Sequence, residues 1–147
     1  MAKAFYITTP LYYVNAPPHW GGMYATLAAD TIARYKRMMG FDVKLLSGAD
    51  EHGQKIERSA RAQGIEPKQL ADGVSSQYAD LWKAIGISEH EFIRTTEPRH
   101  HAAVQDLYAR AKANSHIYKG EYSGWYCVSC EAYAPESDPS KPADCPD

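Results

Sequence analysis

Apolar positions along this chain recur with two periods, one of strands and one of helices. "AFYIT" at 4–8 is a short β-branched and aromatic run, which predicts a buried strand. After Gly21-Gly22 a helical pattern begins, and Ala28, Ile32, Tyr35 and Met39 follow at steps of four, three and four. That spacing predicts an apolar stripe facing inward. Asp30 and Arg34 lie one turn apart on another face, placed to pair, and Gly40 is the expected stop. "DVKLLSG" (42–48) reads as a second strand, and a helix from about Glu51 to Gln63 ends at Gly64. Pro67 opens a longer helix with Leu70, Val74, Leu81 and Ile85 on one side, ending at Gly86. "EFIRT" (91–95) is a third strand. Thr96 is the expected N-cap of the next helix, from which Val104, Leu107 and Ala111 face inward.

Strands that alternate with helical crossovers predict a parallel sheet with helices on both faces. From Ile117 the pattern changes to "IYKGEYSGWYCVSC", rich in tyrosine and glycine and without a helical period. This reads as a hairpin of a separate small module, and the Pro/Ser/Asp-rich stretch from Pro135 to Asp147 reads as a loop. The expected division is an open α/β domain over 1–116 and a second module over 117–147.

Composition narrows the partners. A net charge of -2 offers no electrostatic footprint for autonomous nucleic-acid binding, which usually shows as a basic patch. No apolar run approaches membrane-spanning length, and "MAKAFYITTP" lacks a signal-peptide core, so the expected setting is the cytoplasm, with no membrane partner. Cys127, Cys130 and Cys145 are the only cysteines, crowded towards one end. An odd number so placed fits metal binding in a reducing compartment better than a disulfide framework. Cys127-Val-Ser-Cys130 has zinc-knuckle spacing, and Cys145 follows after fourteen residues, within range of a second ligand pair. A redox dithiol is the alternative, although such pairs usually open a helix, and this one ends an aromatic hairpin.

Two polar clusters fall at strand ends. In open parallel sheets, ligands bind beyond the carboxyl ends of the strands. His19, Gly21 and Gly22 stand at the mouth of the first helix, where unpaired N–H groups favour phosphate and glycine lets a ligand approach the backbone. Asp50, Glu51 and His52 stand beside Gly53 at the mouth of the second. The plainer reading is a Pro-Pro turn with a surface histidine at the first, and at the second Asp50 as an N-cap with Glu51 favouring the helix dipole.

The segments "TTPLYYVNAPPHWGG", "AADTIARYKRMMGFDV", "GADEHGQKI" and "GWYCVSC" resemble, in this order, the methionyl-tRNA synthetases, a class I aminoacyl-tRNA synthetase family. The resemblance covers essentially the whole chain. It implies the first half of a Rossmann-type catalytic domain, followed by the start of a connective insertion, a small zinc-binding β module. The implied reaction is ATP-dependent adenylation of methionine, with Mg2+ accompanying the nucleotide, and transfer of methionyl to tRNA(Met). By resemblance, His19 and Gly21 match the first and third positions of the His-Ile-Gly-His signature that holds ATP. Leu11 and Tyr13 match residues lining the methionine pocket, Asp50 matches the carboxylate that holds its α-amino group, and His52 falls near the site. A thioether needs an apolar aromatic wall and an ammonium needs a fixed carboxylate, so these residue types suit those roles.

The sequence departs from the family pattern at Trp20, in place of a branched aliphatic residue, and at Gly22, in place of the second signature histidine. No Lys-Met-Ser-Lys-Ser-like loop is present, so the expectation is an N-terminal fragment, inactive alone. The family's second ligand pair, Cys-x-x-His or Cys-x-x-Cys, places the fourth zinc ligand at position 148. Two alternatives stay open: another class I ligase, for cysteine, leucine or valine, and a non-catalytic zinc-stabilised nucleotide- or tRNA-binding remnant.

Overall fold

The computed structural model describes residues 2–88, 90–127 and 130–133. In chain order the elements are β1 (Ala4–Tyr13), α1 (Trp20–Met38), β2 (Asp42–Asp50), α2 (Gln54–Gln63), α3 (Pro67–Ala84), β3 (Glu91–Arg94), α4 (Pro98–Ala113), β4 (Tyr126–Cys127) and β5 (Ala132–Tyr133). They belong to two compact units, 1–102 and 103–147, and α4 begins in the first and runs into the second.

In the first unit β1, β2 and β3 form a parallel sheet in that order. Each crossover is helical and steps in the same direction, the start of a Rossmann-type arrangement. Ile7 and Val43 pack with Leu45 against Ala29 and Ala33 of α1. Nearer the carboxyl ends, Tyr12, Val14 and Ala49 pack against Ile56 and Ala60 of α2 and Val74, Tyr78 and Trp82 of α3. Gly64 caps α2 in the left-handed region at φ 68, which an L side chain adopts only at a cost.

Four local expectations need correction. β1 runs to Tyr13 rather than stopping at Thr8, because the register shifts between Thr8 and Leu11 and so accommodates Pro10, which lacks an N–H. The inward face of α1 is Gly22, Thr26, Ala29, Asp30 and Ala33, whereas Ala28, Ile32, Tyr35 and Met39 are exposed. Small residues let the helix approach the sheet, and that closeness outweighs the burial of the larger side chains. α2 starts at Gln54 with Gly53 as N-cap at φ 114, so Asp50 ends β2 and caps nothing. The Thr96 hydroxyl donates to Glu51 instead of capping α4; Val104 and Leu107 are exposed and α4 buries no residue.

The pairing expected between Asp30 and Arg34 is present at 2.7 Å. Asp30 also accepts from the Ser88 backbone N–H at 2.9 Å and from the Ser88 hydroxyl, tying α1 to the segment before β3. Burial works against the Asp30 charge, but the Ser88 and Arg34 hydrogen bonds prevail and hold its pKa below the usual value.

In the second unit β4 and β5 pair antiparallel, Tyr126 with Tyr133 and Cys127 with Ala132. Tyr122 and Tyr126 each meet the Tyr133 ring edge-on, at 4.6 and 5.2 Å between centroids.

Candidate active site

β1 and β2 end side by side, with Leu11 opposite Gly48, Tyr12 opposite Ala49 and Tyr13 opposite Asp50. Side chains alternate across a strand, so Leu11, Tyr13 and Asp50 share one face while Tyr12 and Ala49 enter the core on the other. Gly48 is fixed by crowding. A Cβ there would stand 2.2 Å from the Ile93 carbonyl oxygen and 2.8 Å from Leu11 Cδ2.

Beyond the end of β1, a cavity of about 230 Å3 is lined by Leu11, Tyr13, Asn15, Pro17, His19 and Tyr78, among others. The fold therefore brings Leu11, Tyr13 and His19 to one enclosure, with Asp50 beside Tyr13 on the neighbouring strand. Tyr78, on α3, was not foreseen as a lining residue. It stacks on Tyr12 at 5.1 Å between centroids, and burial, then the neighbouring Tyr12, pushes its hydroxyl pKa up. Lys55 Nζ lies 5.2 Å from the centre of the Tyr13 ring, a cation–π distance.

His19 is the N-cap of α1, in extended conformation, and its Nδ1 accepts from the Gly21 N–H at 3.1 Å. A neutral imidazole that accepts at Nδ1 carries its proton on Nε2, which makes that nitrogen a donor. The α1 first turn holds no acidic side chain to neutralise the positive end of the helix dipole. A Cβ on Gly21 would come 2.9 Å from His19 Cε1, so glycine preserves the cap. Gly22 is buried, and a Cβ there would meet the Tyr12 ring at 3.2 Å. The Tyr12 hydroxyl donates to the Gly22 carbonyl at 3.0 Å and lies 2.7 Å from Thr26 Oγ1. Trp20 is 81% exposed.

At the second mouth, His52 is exposed and faces the His101 ring at 6.1 Å between centroids; it does not line the cavity. Glu51 is the residue that sequence reasoning undervalued. Its side chain is fully buried and accepts from the Ser75 hydroxyl at 2.6 Å, Arg94 Nε at 2.5 Å and the Thr96 hydroxyl. Burial opposes its charge, yet the bonds from Arg94, Ser75 and Thr96 outweigh that and hold its pKa below the usual value. Arg94 also pairs with Asp72, and the Glu51 hydrogen bond leads in raising the guanidinium pKa.

A larger cleft, about 560 Å3, opens at the opposite end of the sheet beside Phe5, Val43, His90 and Glu91. None of the site residues expected from the sequence lies there.

In the second unit the Cys130 N–H points to Cys127 Sγ at 3.4 Å, and Glu131 turns the chain at φ 53. An amide N–H directed at the first sulfur of a CxxC turn suits a thiolate pair shared by one cation. Cys145 lies outside the described residues. Among the described residues, no three His, Cys, Asp or Glu side chains are grouped to hold a metal ion, and no helix is long and apolar enough to cross a membrane.

The sequence and the fold both have known relatives. A family model described as tRNA synthetases class I (M) matches residues 5–147. The chain belongs to this family. It is 51% identical over 136 residues to the chloroplastic/mitochondrial methionine--tRNA ligase of Arabidopsis thaliana, a match covering 92% of this chain and 22% of that protein. It is 49% identical over 134 residues to the methionine--tRNA ligase of Thermotoga maritima, covering 91% of this chain and 21% of the relative. The Mycobacterium tuberculosis methionyl-tRNA synthetase, solved in complex with methionyl-adenylate, superposes with a TM-score of 0.87 at 43% identity. That superposition covers 92% of this chain and 26% of the other. The chain thus spans about a fifth to a quarter of the length of these class I synthetases.

Proposed function

We propose that this chain supplies the ATP- and methionine-holding half of a methionine--tRNA ligase, acting in the cytoplasm. The observation that carries this reading is the convergence at one sheet edge of an aromatic cavity, a carboxylate and a helix mouth with a histidine donor. Leu11 and Tyr13 supply the apolar wall for the thioether. Asp50, opposite Tyr13, takes the α-ammonium. Methionine's carboxylate then attacks the α-phosphorus of ATP, giving methionyl-adenylate and pyrophosphate. His19, through Nε2–H, and the backbone at Gly21 and Gly22 stabilise the charge that grows on the phosphates. Mg2+ enters with ATP, and in the second step tRNA(Met) accepts the methionyl group from the adenylate, releasing AMP.

In this reading residues 1–116 form the first half of the catalytic domain, and 117–147 begin the connective module. Cys127 and Cys130 fit a zinc ion through their turn, with Cys145 as a third ligand. Zinc there is structural, tying the hairpin together.

The test is methionine-dependent ATP–pyrophosphate exchange by the full-length protein, with zinc content measured alongside. The expected result is exchange with methionine but not with cysteine, leucine or valine, and one zinc per chain that is lost in Cys127→Ser. Absence of exchange in a folded protein would favour the non-catalytic remnant.

A further inference from the structure

The region around Asp50 is laced to the neighbouring strand in a way that catalysis, as described so far, does not use. The Thr95 N–H donates to the Ala49 carbonyl at 3.2 Å, and the Thr95 hydroxyl accepts from the Glu51 N–H at 2.9 Å. Thr95 therefore straddles Asp50, holding the peptide group on each side of it. Thr95 is itself held from both sides, because Arg94 and Thr96 both donate to the Glu51 carboxylate. A third donor to that carboxylate, the Ser75 hydroxyl, comes from α3. Beyond Arg94 the network reaches Asp72 and then Lys68.

Burying the Glu51 carboxylate completely against a half-buried Arg94 is a poor way to gain stability, since desolvation offsets most of the attraction. Its better-attested use is to fix one arrangement among several of similar energy. Here that arrangement is the end of β2, where no further ladder constrains the chain: β2 stops at Asp50 and α2 begins only at Gln54. Three residues, Glu51, His52 and Gly53, separate a rigid strand from a rigid helix, and the only side chain among them that is buried belongs to Glu51.

We propose that Glu51 is a positioning residue: gripped by Arg94, Thr96 and Ser75, it fixes the backbone that aims Asp50 at the substrate ammonium. This rests on the assignment of Asp50 in the proposed function. Glu51 touches no substrate. Its carboxylate enters the helix-covered side while Asp50 stands on the opposite face with Tyr13.

The experiment uses the full-length protein and compares Glu51→Gln, Arg94→Lys and Asp50→Ala in pyrophosphate exchange and thermal unfolding. Glutamine keeps the shape of Glu51 but removes the charge that binds Arg94. Misplacing a reacting partner by about an ångström costs on the order of tenfold to a hundredfold. Glu51→Gln is therefore expected to raise the methionine KM roughly tenfold, with the ATP KM within about a factor of two. Arg94→Lys is expected to move the same constant, and the double variant to be no worse than the poorer single one, because both remove one device. A lowered unfolding temperature with an unchanged methionine KM would overturn the inference, leaving Glu51 structural. So would equal rises in both KM values. Should Glu51→Gln fail to fold, Thr96→Val, which removes one of the three donors, gives the same readout with a smaller shift. Failure of the underlying assignment looks different: Asp50→Ala itself would then leave methionine binding unchanged.

Discussion

α1 and α2 both open at the carboxyl edge of the same sheet, yet their first turns are built in opposite ways. The α1 mouth is capped by its own sequence, His19 reaching two residues forward to Gly21, with no acid in the first turn. The α2 mouth has no side-chain cap, begins from a glycine at φ 114 and carries Glu57 in its first turn. What steadies α2's approach comes from far away in the chain, from Ser75, Arg94, Thr95 and Thr96. A mouth that caps itself can keep its positive dipole end available for an anion. A mouth held from behind can leave its leading carboxylate, Asp50, for a cation. One sheet edge thus offers both polarities, as the proposed reaction of a zwitterionic amino acid with a polyphosphate requires.

The comparison breaks most severely at Gly48. Gly48→Ala places a methyl group 2.2 Å from the Ile93 carbonyl, so β2 and β3 must part and the lacing at Thr95 goes with them. Overpacking against backbone costs about 3 kcal/mol or more, and the expected readout is a markedly lower thermal midpoint with α1's mouth spared. Asp50→Ala is next. Loss of a charge-assisted hydrogen bond costs about 1.5–3 kcal/mol, a roughly ten- to hundredfold weaker methionine affinity by calorimetry. At the other mouth, His19→Ala is expected to lose about 1 kcal/mol of cap and to slow adenylation. His19→Asn keeps a cap acceptor without an Nε2 donor, so the expected outcome is parental stability with the adenylation rate still lowered. Restored rate in His19→Asn would show that the cap alone matters.

The smallest effect is on acid stability. The folded protein holds Glu51 below its usual pKa, so its contribution is full above the ordinary carboxylate range. It is lost as pH falls through the lower folded value. Glu51→Gln is thus expected to unfold more readily at neutral pH, with the gap to the parent closing below about pH 4. A gap that stayed constant across acid unfolding curves would mean that the pairing with Arg94 contributes nothing.

Much of this was legible in the chain because it is local. Gly40, Gly64 and Gly86 were expected as stops, and all three adopt positive φ. The strand-helix order and the cluster at His19 follow from short patterns. Longer-range features were hidden. The buried face of α1 misled because periodicity favours the larger apolar residues, whereas a helix lying close on a sheet selects Gly22, Ala29 and Ala33. Glu51 read as a dipole partner because its true donors stand 24, 43 and 45 residues later, beyond any helical or strand period. Tyr78 entered the cavity for the same reason, its role set by stacking on Tyr12. The domain boundary at 116 and the metal role of Cys145 rest on sequence alone.

The 45-residue span between Glu51 and Thr96 also has a consequence in time. A chain emerging from the ribosome at about 5–20 residues per second delivers Thr96 roughly 2 to 9 s after Glu51. Until then β1, α1 and β2 can begin to assemble, but the Glu51 carboxylate just past β2 lacks the Arg94 charge and the Thr96 hydroxyl, so that end stays solvated. The arrival of β3 then supplies both donors and lets Glu51 give up its water. Substitutions at Arg94 or Thr96 should therefore prolong a nascent state in which the strand ends are open and prone to capture by chaperones.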